Sequence, residues 1–233
     1  MVDIRLAADI GGTFTDLALT INDTLWTTKL LTTPSEPARA VLQGISTLCH
    51  QSSIGMADID VFVHGTTLAT NALIERRGAL TGFLTTHVMR YSIEMAHENI
   101  FEQYDLAMRR PEPLVPRNLR VGIRERLDSK GNVLIELNGQ DVLDAAEFFK
   151  SSGVESIAIG YLHSYQSDAH EQATADLIRE NWPEVSITLS SQVCPEIREY
   201  ERFSTTCANA YIQPVSYTHL RAHETREDRV WRR

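Results

Sequence analysis

The chain has 233 residues, of which 42% are hydrophobic, 7% aromatic and 23% charged, enough for one sizeable core or a core plus a small lobe and too apolar for a disordered region. No apolar run approaches the ~18 residues that a bilayer span requires, which excludes a helical membrane protein. A formal net charge of −9 excludes a broad nucleic-acid footprint, so an anionic ligand needs a local site. From Ile4, apolar stretches at 4–10, 14–21 and 25–31 are separated by Gly11-Gly12 and Asn22-Asp23, both turn chemistry, and predict a three-stranded antiparallel meander. Pro34-Ser35-Glu36-Pro37 supplies a helix start, and Ala38, Val41, Leu42, Ile45 and Leu48 recur at helical spacing. A short β-branched run at 58–63 leads through His64-Gly65-Thr66-Thr67 into the helical pattern of Leu68, Ala72 and Leu73. A strand at 80–85, a helix at 91–98 and an irregular Pro-rich loop at 99–118 follow, the loop long enough to suggest function. The second half reads β-β-α-β-α-β: a hairpin of 119–127 with 133–137 across Asp128-Ser129-Lys130-Gly131, a helix at 142–149, a strand at 157–162, a helix at 170–182 and a strand at 185–189. A helix at 196–212 closes the series, with Ile197, Tyr200, Phe203, Cys207, Ala210 and Tyr211 on or near one face. The expected fold class is α/β: a ribonuclease-H-like, actin-like ATPase lobe with a mixed sheet, followed by the β-β-α-β-α-β segment.

The sharpest chemical signal is DIGGTFTD, Asp9 to Asp16. Glycines at a hairpin tip let backbone N–H groups approach an anion, and Thr13 and Thr15 can add hydroxyl donors. Asp9 would repel a phosphate unless Mg²⁺, a positioned water or a substrate proton lies between them. The same residues also suit a plain tight turn between two strands. His64-Gly65-Thr66-Thr67 places a glycine and two hydroxyls between a buried strand and a helix start, a second natural anion site. There the alternative is a threonine-capped helix with a core histidine. His97-Glu98 and His170-Glu171 do not continue as H-E-x-x-H, so no zinc site follows. Glu94, His97, Glu98, Glu102, Tyr104 and Asp105 form a dense acid–base cluster before the Pro-rich loop, either a pocket or solvated charge. The alternating signs of residues 195–202 predict an exposed or interdomain helix face. Cys49, Cys194 and Cys207, odd in number and widely spaced, predict buried thiols and no disulfide framework. The N-terminus carries no signal-peptide pattern, which makes a cytoplasmic location the expectation.

Taken together, DIGGTFTD (9–16), HGTTLATNALIERRGA (64–79), FEQYDL (101–106), RPEPLVPR (110–117) and EYERFSTTCANAYIQP (199–214) resemble the hydantoinase A/oxoprolinase family over essentially residues 4–214. The resemblance implies an actin-like, two-lobed, ATP- and Mg²⁺-dependent enzyme that acts on cyclic amides such as 5-oxoproline or hydantoins, or on ketones in the acetone carboxylase branch. It implies phosphoryl transfer to a carbonyl oxygen and a hydantoinase B-type partner subunit. By position, Asp9, Gly11, Gly12, Thr13 and Thr15 match the first phosphate motif, with Asp9 organising Mg²⁺ or a water. His64, Gly65, Thr66, Thr67 and Asn71 match the second, with His64 as a catalytic candidate and Gly65, Thr66 and Thr67 as nucleotide contacts. His87-Val88-Met89-Arg90 stands where many members read Gly-Phe-Arg-Asp, which puts a loop contact there in doubt. A sugar or acyl kinase using the same hairpin, or a non-catalytic nucleotide-binding module, are the competing readings.

The expected organisation is a family N-terminal region at 1–190, the start of a truncated core domain at 191–215, and a non-native tail at 216–233. The tail departs abruptly in composition, and residues 215–225 back-translate well to the adaptor of transposase-based sequencing libraries. Its five arginines against three acidic residues mean that the chain without it carries a net charge of −11. A fragment that lacks the opposing lobe is expected to bind ATP weakly and to turn over little or nothing.

Overall fold

The computed structural model describes residues 3–33, 37–97, 104, 107 and 111–230, without the side chains of 37, 66, 68 and 215–230. The chain forms two compact units, one of residues 1–77 with 215–233 and one of residues 78–214.

In the first unit β1 (Ile4–Ile10), β2 (Phe14–Ile21) and β3 (Thr24–Leu31) form the expected meander, followed by α1 (Pro37–Ser52), β4 (Val61–Thr66) and the short α2 (Leu68–Ile74). The sheet order is β3-β2-β1-β4, with β1 antiparallel to β2 and parallel to β4. Asn22 makes the β2–β3 turn in the left-handed region (φ 51°), which asparagine tolerates. Alternation decides the faces: Ile4, Leu6, Ala8 and Ile10 are buried, whereas Arg5, Ala7 and Asp9 are exposed. The buried set packs with Leu17, Leu19, Val41 and Leu48 beneath α1. Helix and sheet meet closely at Gly44, where a Cβ would fall 2.3 Å from Leu17 Cδ1. Full burial of Leu19 and Leu48 contributes roughly 1.5–3 kcal/mol each.

The second unit is built from β5 (Thr81–Thr86), α3 (Ser92–Met95), β6 (Arg120–Ile123), β7 (Arg126–Leu127), β8 (Val133–Ile135), α4 (Gly139–Ser151), β9 (Ser156–Gly160), α5 (Ala169–Asn181), β10 (Ser186–Leu189), α6 (Ser190–Val193) and the part of α7 (Glu199–Val230) that runs to residue 214. Its sheet runs β10-β9-β5-β6, all parallel. Every residue of β5 and β9 is buried, because both faces are covered. On one face a Cβ at Gly82 would lie 2.7 Å from the Phe149 ring, and on the other a Cβ at Gly160 would lie 2.6 Å from Phe203.

Two expectations are corrected here. Residues 119–127 are not one arm of a hairpin: β6 leaves it to pair with β5, and only Arg126–Leu127 pairs with Val133–Ile135. The break falls where Arg124 turns to Asp141 (2.6 and 2.7 Å) and Glu125 is buried against Thr86 and His170. The charged start of α7, expected on an exposed or interdomain face, also sends one of its charged side chains inward. Arg202 is fully buried and donates to Tyr161 O (2.9 Å), Glu196 O (2.8 Å) and Ser190 Oγ (3.2 Å).

Candidate functional site

The two sequence motifs lie 55 residues apart and are brought side by side in the first unit by the parallel pairing of β1 with β4, which sets Asp9 opposite Gly65 and Ile10 opposite Thr66. The Thr67 N–H donates to Ile10 O (3.2 Å), and a Cβ on Gly12 would stand 3.0 Å from Asn71 Nδ2. The hairpin tip therefore abuts the first turns after β4.

On the exposed face of the sheet one row reads Lys29, Asp16, Asp9, Gly65, each directly opposite the next. Adjacent carboxylates on paired strands repel. Lys29 Nζ compensates Asp16 at 3.0 and 3.1 Å and lies 5.1 Å from the Phe14 ring centroid, but no ion pair or hydrogen bond among the described residues engages the Asp9 carboxylate. On the other flank of Asp9 is open space, because nothing lies within 4 Å of a Cβ built at Gly65. Gly65 lacks a positive φ, so neither backbone conformation nor packing demands glycine there. Gly11 differs, since its Cβ would lie 2.8 Å from Phe14 O.

Thr13 and Thr67 are exposed near this face. Thr67 occupies the N-cap of α2 without a side-chain capping bond, and its Oγ1 accepts from Asn71 Nδ2 at 3.4 Å. The side chain of Thr66 lies outside the described residues. Two candidates face the other way. Thr15 is fully buried, and its hydroxyl shares a 2.9 Å hydrogen bond with Thr32 Oγ1, which itself donates to Gly11 O (2.9 Å). Thr15 thus donates to Thr32 and helps to hold the hairpin tip, and it offers no donor at the open face. His64 pairs in register with buried Ala8, so strand alternation sets it on the α1 side, half-buried and 6.3 Å from the Phe62 ring, away from Asp9.

The row suits a magnesium-bound polyphosphate: a free carboxylate, a gap beside it, and a glycine hairpin tip at the end of the same strand. Mg²⁺ commonly takes one or two carboxylates and completes its octahedron with water and phosphate oxygens. Among the described residues no group of three or more His, Cys, Asp or Glu is arranged to hold a metal by itself.

Elsewhere the acid–base cluster is resolved in part. Glu94 accepts from Arg117 (3.0 and 3.1 Å) and Arg120 (2.9 Å), and these bonds hold its carboxyl below the usual range. His97 pairs with Glu201 at 3.0 Å, and Tyr104 is exposed. Glu98, Glu102 and Asp105 lie outside the described residues. His170 and Glu171 are both buried and part company: His170 Nδ1 meets Glu125 Oε2 (2.8 Å), while Glu171 accepts from Tyr161 N, Ser190 Oγ, Ser191 N and Ser191 Oγ at 2.6–3.2 Å. Sequence reasoning missed Glu125 and Glu171 as buried hubs. A lone carboxylate in a polar stretch carries no local sign of burial.

With this geometry in hand, comparison with solved structures places the fold. The chain superposes on nucleotide-free acetone carboxylase with a TM-score of 0.86 at 23% identity, covering 97% of this chain and 34% of that one. It matches the ATP-dependent caprolactamase of Pseudomonas jessenii with a TM-score of 0.83 at 33% identity, covering 93% of this chain and 32% of that one. A mixed-sheet α/β lobe of the actin-like ATPase type accounts for both. The profile of the hydantoinase/oxoprolinase N-terminal region matches residues 5–182, and the chain belongs to that family. In sequence it is 34% identical to the caprolactamase alpha subunit of P. jessenii over 91% of this chain and 31% of the relative. It is 31% identical to the acetophenone carboxylase gamma subunit of Aromatoleum aromaticum over 88% and 30%. The chain thus spans about a third of the length of these curated relatives. No helix among the described residues is long and apolar enough to cross a membrane.

Proposed function

We propose that this chain is the N-terminal part of an ATP-dependent enzyme that opens cyclic amides of the 5-oxoproline, hydantoin or lactam type, and that its first unit supplies one wall of the nucleotide site. The observation that carries the reading is the unengaged Asp9 carboxylate beside the gap at Gly65, at the foot of the Gly11-Gly12 tip. In this role the Gly11, Gly12 and Thr13 backbone and the Thr13 and Thr67 hydroxyls take phosphate oxygens, and Asp9 holds Mg²⁺ through its carboxylate or an intervening water. Mg²⁺ would supply charge neutralisation on the phosphates. Lys29 keeps Asp16 neutralised, so that Asp9 remains the carboxylate free for this task.

The chemistry proposed for the whole protein is attack of the amide oxygen on the γ-phosphorus of ATP with departure of ADP, which turns a poor electrophile into an activated one. Water then adds at that carbon and the ring C–N bond breaks, with a proton going to the departing nitrogen, to leave an acyl phosphate that a second water hydrolyses to the carboxylate and phosphate. The names of the relatives support a second branch, in which a ketone is activated for carboxylation. Relatives named as alpha, beta and gamma subunits support a partner subunit, expected to be of hydantoinase B type.

The test starts with recovery of the uninterrupted reading frame across the Val215 codon by long-read sequencing, because residues 216–233 are proposed to be adaptor-derived. The protein so encoded is then assayed with ATP, Mg²⁺ and 5-oxoproline, hydantoin, caprolactam or acetone. A ring-opened or carboxylated product that is lost on Asp9→Ala with the fold intact supports the reading. A stable phosphorylated product would reassign the protein to the kinases, and undiminished turnover in Asp9→Ala would remove Asp9 from the site.

A further inference from the structure

The sheet of the first unit ends at β3, and no strand among the described residues pairs with its outer edge. β3 is eight residues long, keeps unbroken register with β2, and lacks the devices by which proteins close an exposed edge. It has no proline, no bulge and one charge, Lys29, which Asp16 neutralises at 3.0 Å. Leu25 and Leu31 are 61% and 70% exposed. The turn fixes which backbone groups face outward. Ile21 and Thr24 flank a two-residue loop and so exchange hydrogen bonds, and alternation carries the bonds to β2 through the even-numbered residues of β3. The Thr32 N–H donating to Thr13 O at 2.9 Å continues that series. The N–H and C=O groups of Leu25, Thr27, Lys29 and Leu31 therefore point away from the sheet.

This edge is self-complementary in one register. An antiparallel second copy must set outward-pointing residues opposite one another, and only a twofold axis through Thr28 pairs all four: Leu25 with Leu31, and Thr27 with Lys29. The same axis puts half-buried Trp26 opposite half-buried Leu30 on the face that α1 covers. An axis one residue further on would oppose Lys29 to itself. Helix packing agrees. α1 lies over β2 and β3, where Gly44 meets Leu17 and Leu30. A twofold axis beside β3 thus brings two copies of α1 about two strand spacings apart, roughly 10 Å, a usual distance between packed helices.

We propose that β3 is a dimerisation edge: it pairs antiparallel with β3 of a second copy of this chain about a twofold axis through Thr28, joining two four-stranded sheets into one. In each copy Leu25, Thr27, Lys29 and Leu31 exchange both backbone hydrogen bonds with their opposites. The pairing does not depend on the nucleotide reading of Asp9.

The experiment is sedimentation equilibrium of the 233-residue chain from about 1 to 200 μM, where a reversible monomer–dimer equilibrium is expected. Thr27→Pro removes an outward N–H that the chain's own sheet does not use, and should raise the dimer Kd at least tenfold. Thr27→Lys sets lysines opposite each other twice across the axis and should raise Kd several-fold, whereas Thr27→Glu faces Lys29 of the second copy and should lower it. Opposite responses to the two charges are a readout that misfolding does not mimic, and they serve if Thr27→Pro fails to fold. Thr28→Cys, on the axis in a closely spaced pair, should give a disulfide-linked dimer on oxidation that the unaltered chain does not. A chain that stays monomeric at the highest concentration overturns the proposal. A dimer whose Kd is unmoved by Thr27→Pro in a folded variant overturns the edge, and equal responses to Thr27→Lys and Thr27→Glu overturn the register.

Discussion

Replacing Gly65 by valine separates what the fold needs at this position from what the proposed site needs. The position has ordinary β-strand backbone, no positive φ and no atom within 4 Å of a built Cβ, so the larger residue meets no clash. A glycine in a strand interior costs roughly 0.5–1 kcal/mol relative to alanine, and β-branched residues are favoured in strands, so the variant should match or exceed the original stability by up to about 1 kcal/mol. For a chain of this size that is a rise in Tm of about 0–4 °C. The same side chain fills the gap beside Asp9, the space proposed for the magnesium-bound phosphates. Nucleotide affinity should fall at least tenfold, equivalent to about 1.4 kcal/mol. Thermal unfolding by circular dichroism and calorimetric titration with ATP and Mg²⁺, on the same preparations, read the two effects. A clear fall in Tm would show that glycine serves the fold, and an unchanged affinity would refute the placement of phosphate beside Asp9. If the unaltered chain binds no nucleotide at millimolar ATP, the nucleotide reading itself fails for this chain.

Glu171→Ala should be among the most damaging single changes, because it leaves the Tyr161 and Ser191 N–H groups and two serine hydroxyls without their acceptor in a fully buried place. A loss of about 3–5 kcal/mol in urea unfolding is expected, and a loss below 1 kcal/mol would contradict the described network. Asp141 is held below the ordinary carboxylate range chiefly by its hydrogen bonds from the Arg124 side chain. Its folded value is lowered, so its contribution is fully present above the unfolded value near 4 and disappears as the pH falls through the lowered one. The stability gap between the original chain and Asp141→Asn should therefore be widest near neutral pH and close below about pH 4, and a gap that widened in acid would refute the sign. Burial pushes the Cys207 thiol up to about 12 and also raises that of Cys49, whereas Cys194 is only partly buried. One thiol should react readily with a disulfide reagent at pH 8 in the folded chain and all three after denaturation, and rapid native labelling of Cys207 would contradict its burial.

Local pattern alone determined much of the first unit. The period-two run Ile4, Leu6, Ala8, Ile10 defines β1 and, by parity, turns Asp9 outward. The same parity turns Thr15 inward with Leu17 and Leu19, so the burial that removes Thr15 from the open face was legible in the alternation, although its hydroxyl chemistry pointed elsewhere. The turn at Asp128 was equally legible: its carboxylate accepts from Lys130 N, Asn132 N and Asn132 Nδ2, and Gly131 takes φ 84°. Tertiary structure decided what depends on distant partners. Nothing local to residues 119–127 says that the first four strand residues will abandon the hairpin, because the gain comes from completing the sheet beside β5. Nor does either motif reveal that Asp9 will stand opposite Gly65, with His64 on the other face. That register is set by the packing of α1 and of a strand 50 residues downstream, and strand alternation then fixes which side chains share a face. Sequence supplied the chemical groups, and long-range strand pairing chose which of them meet.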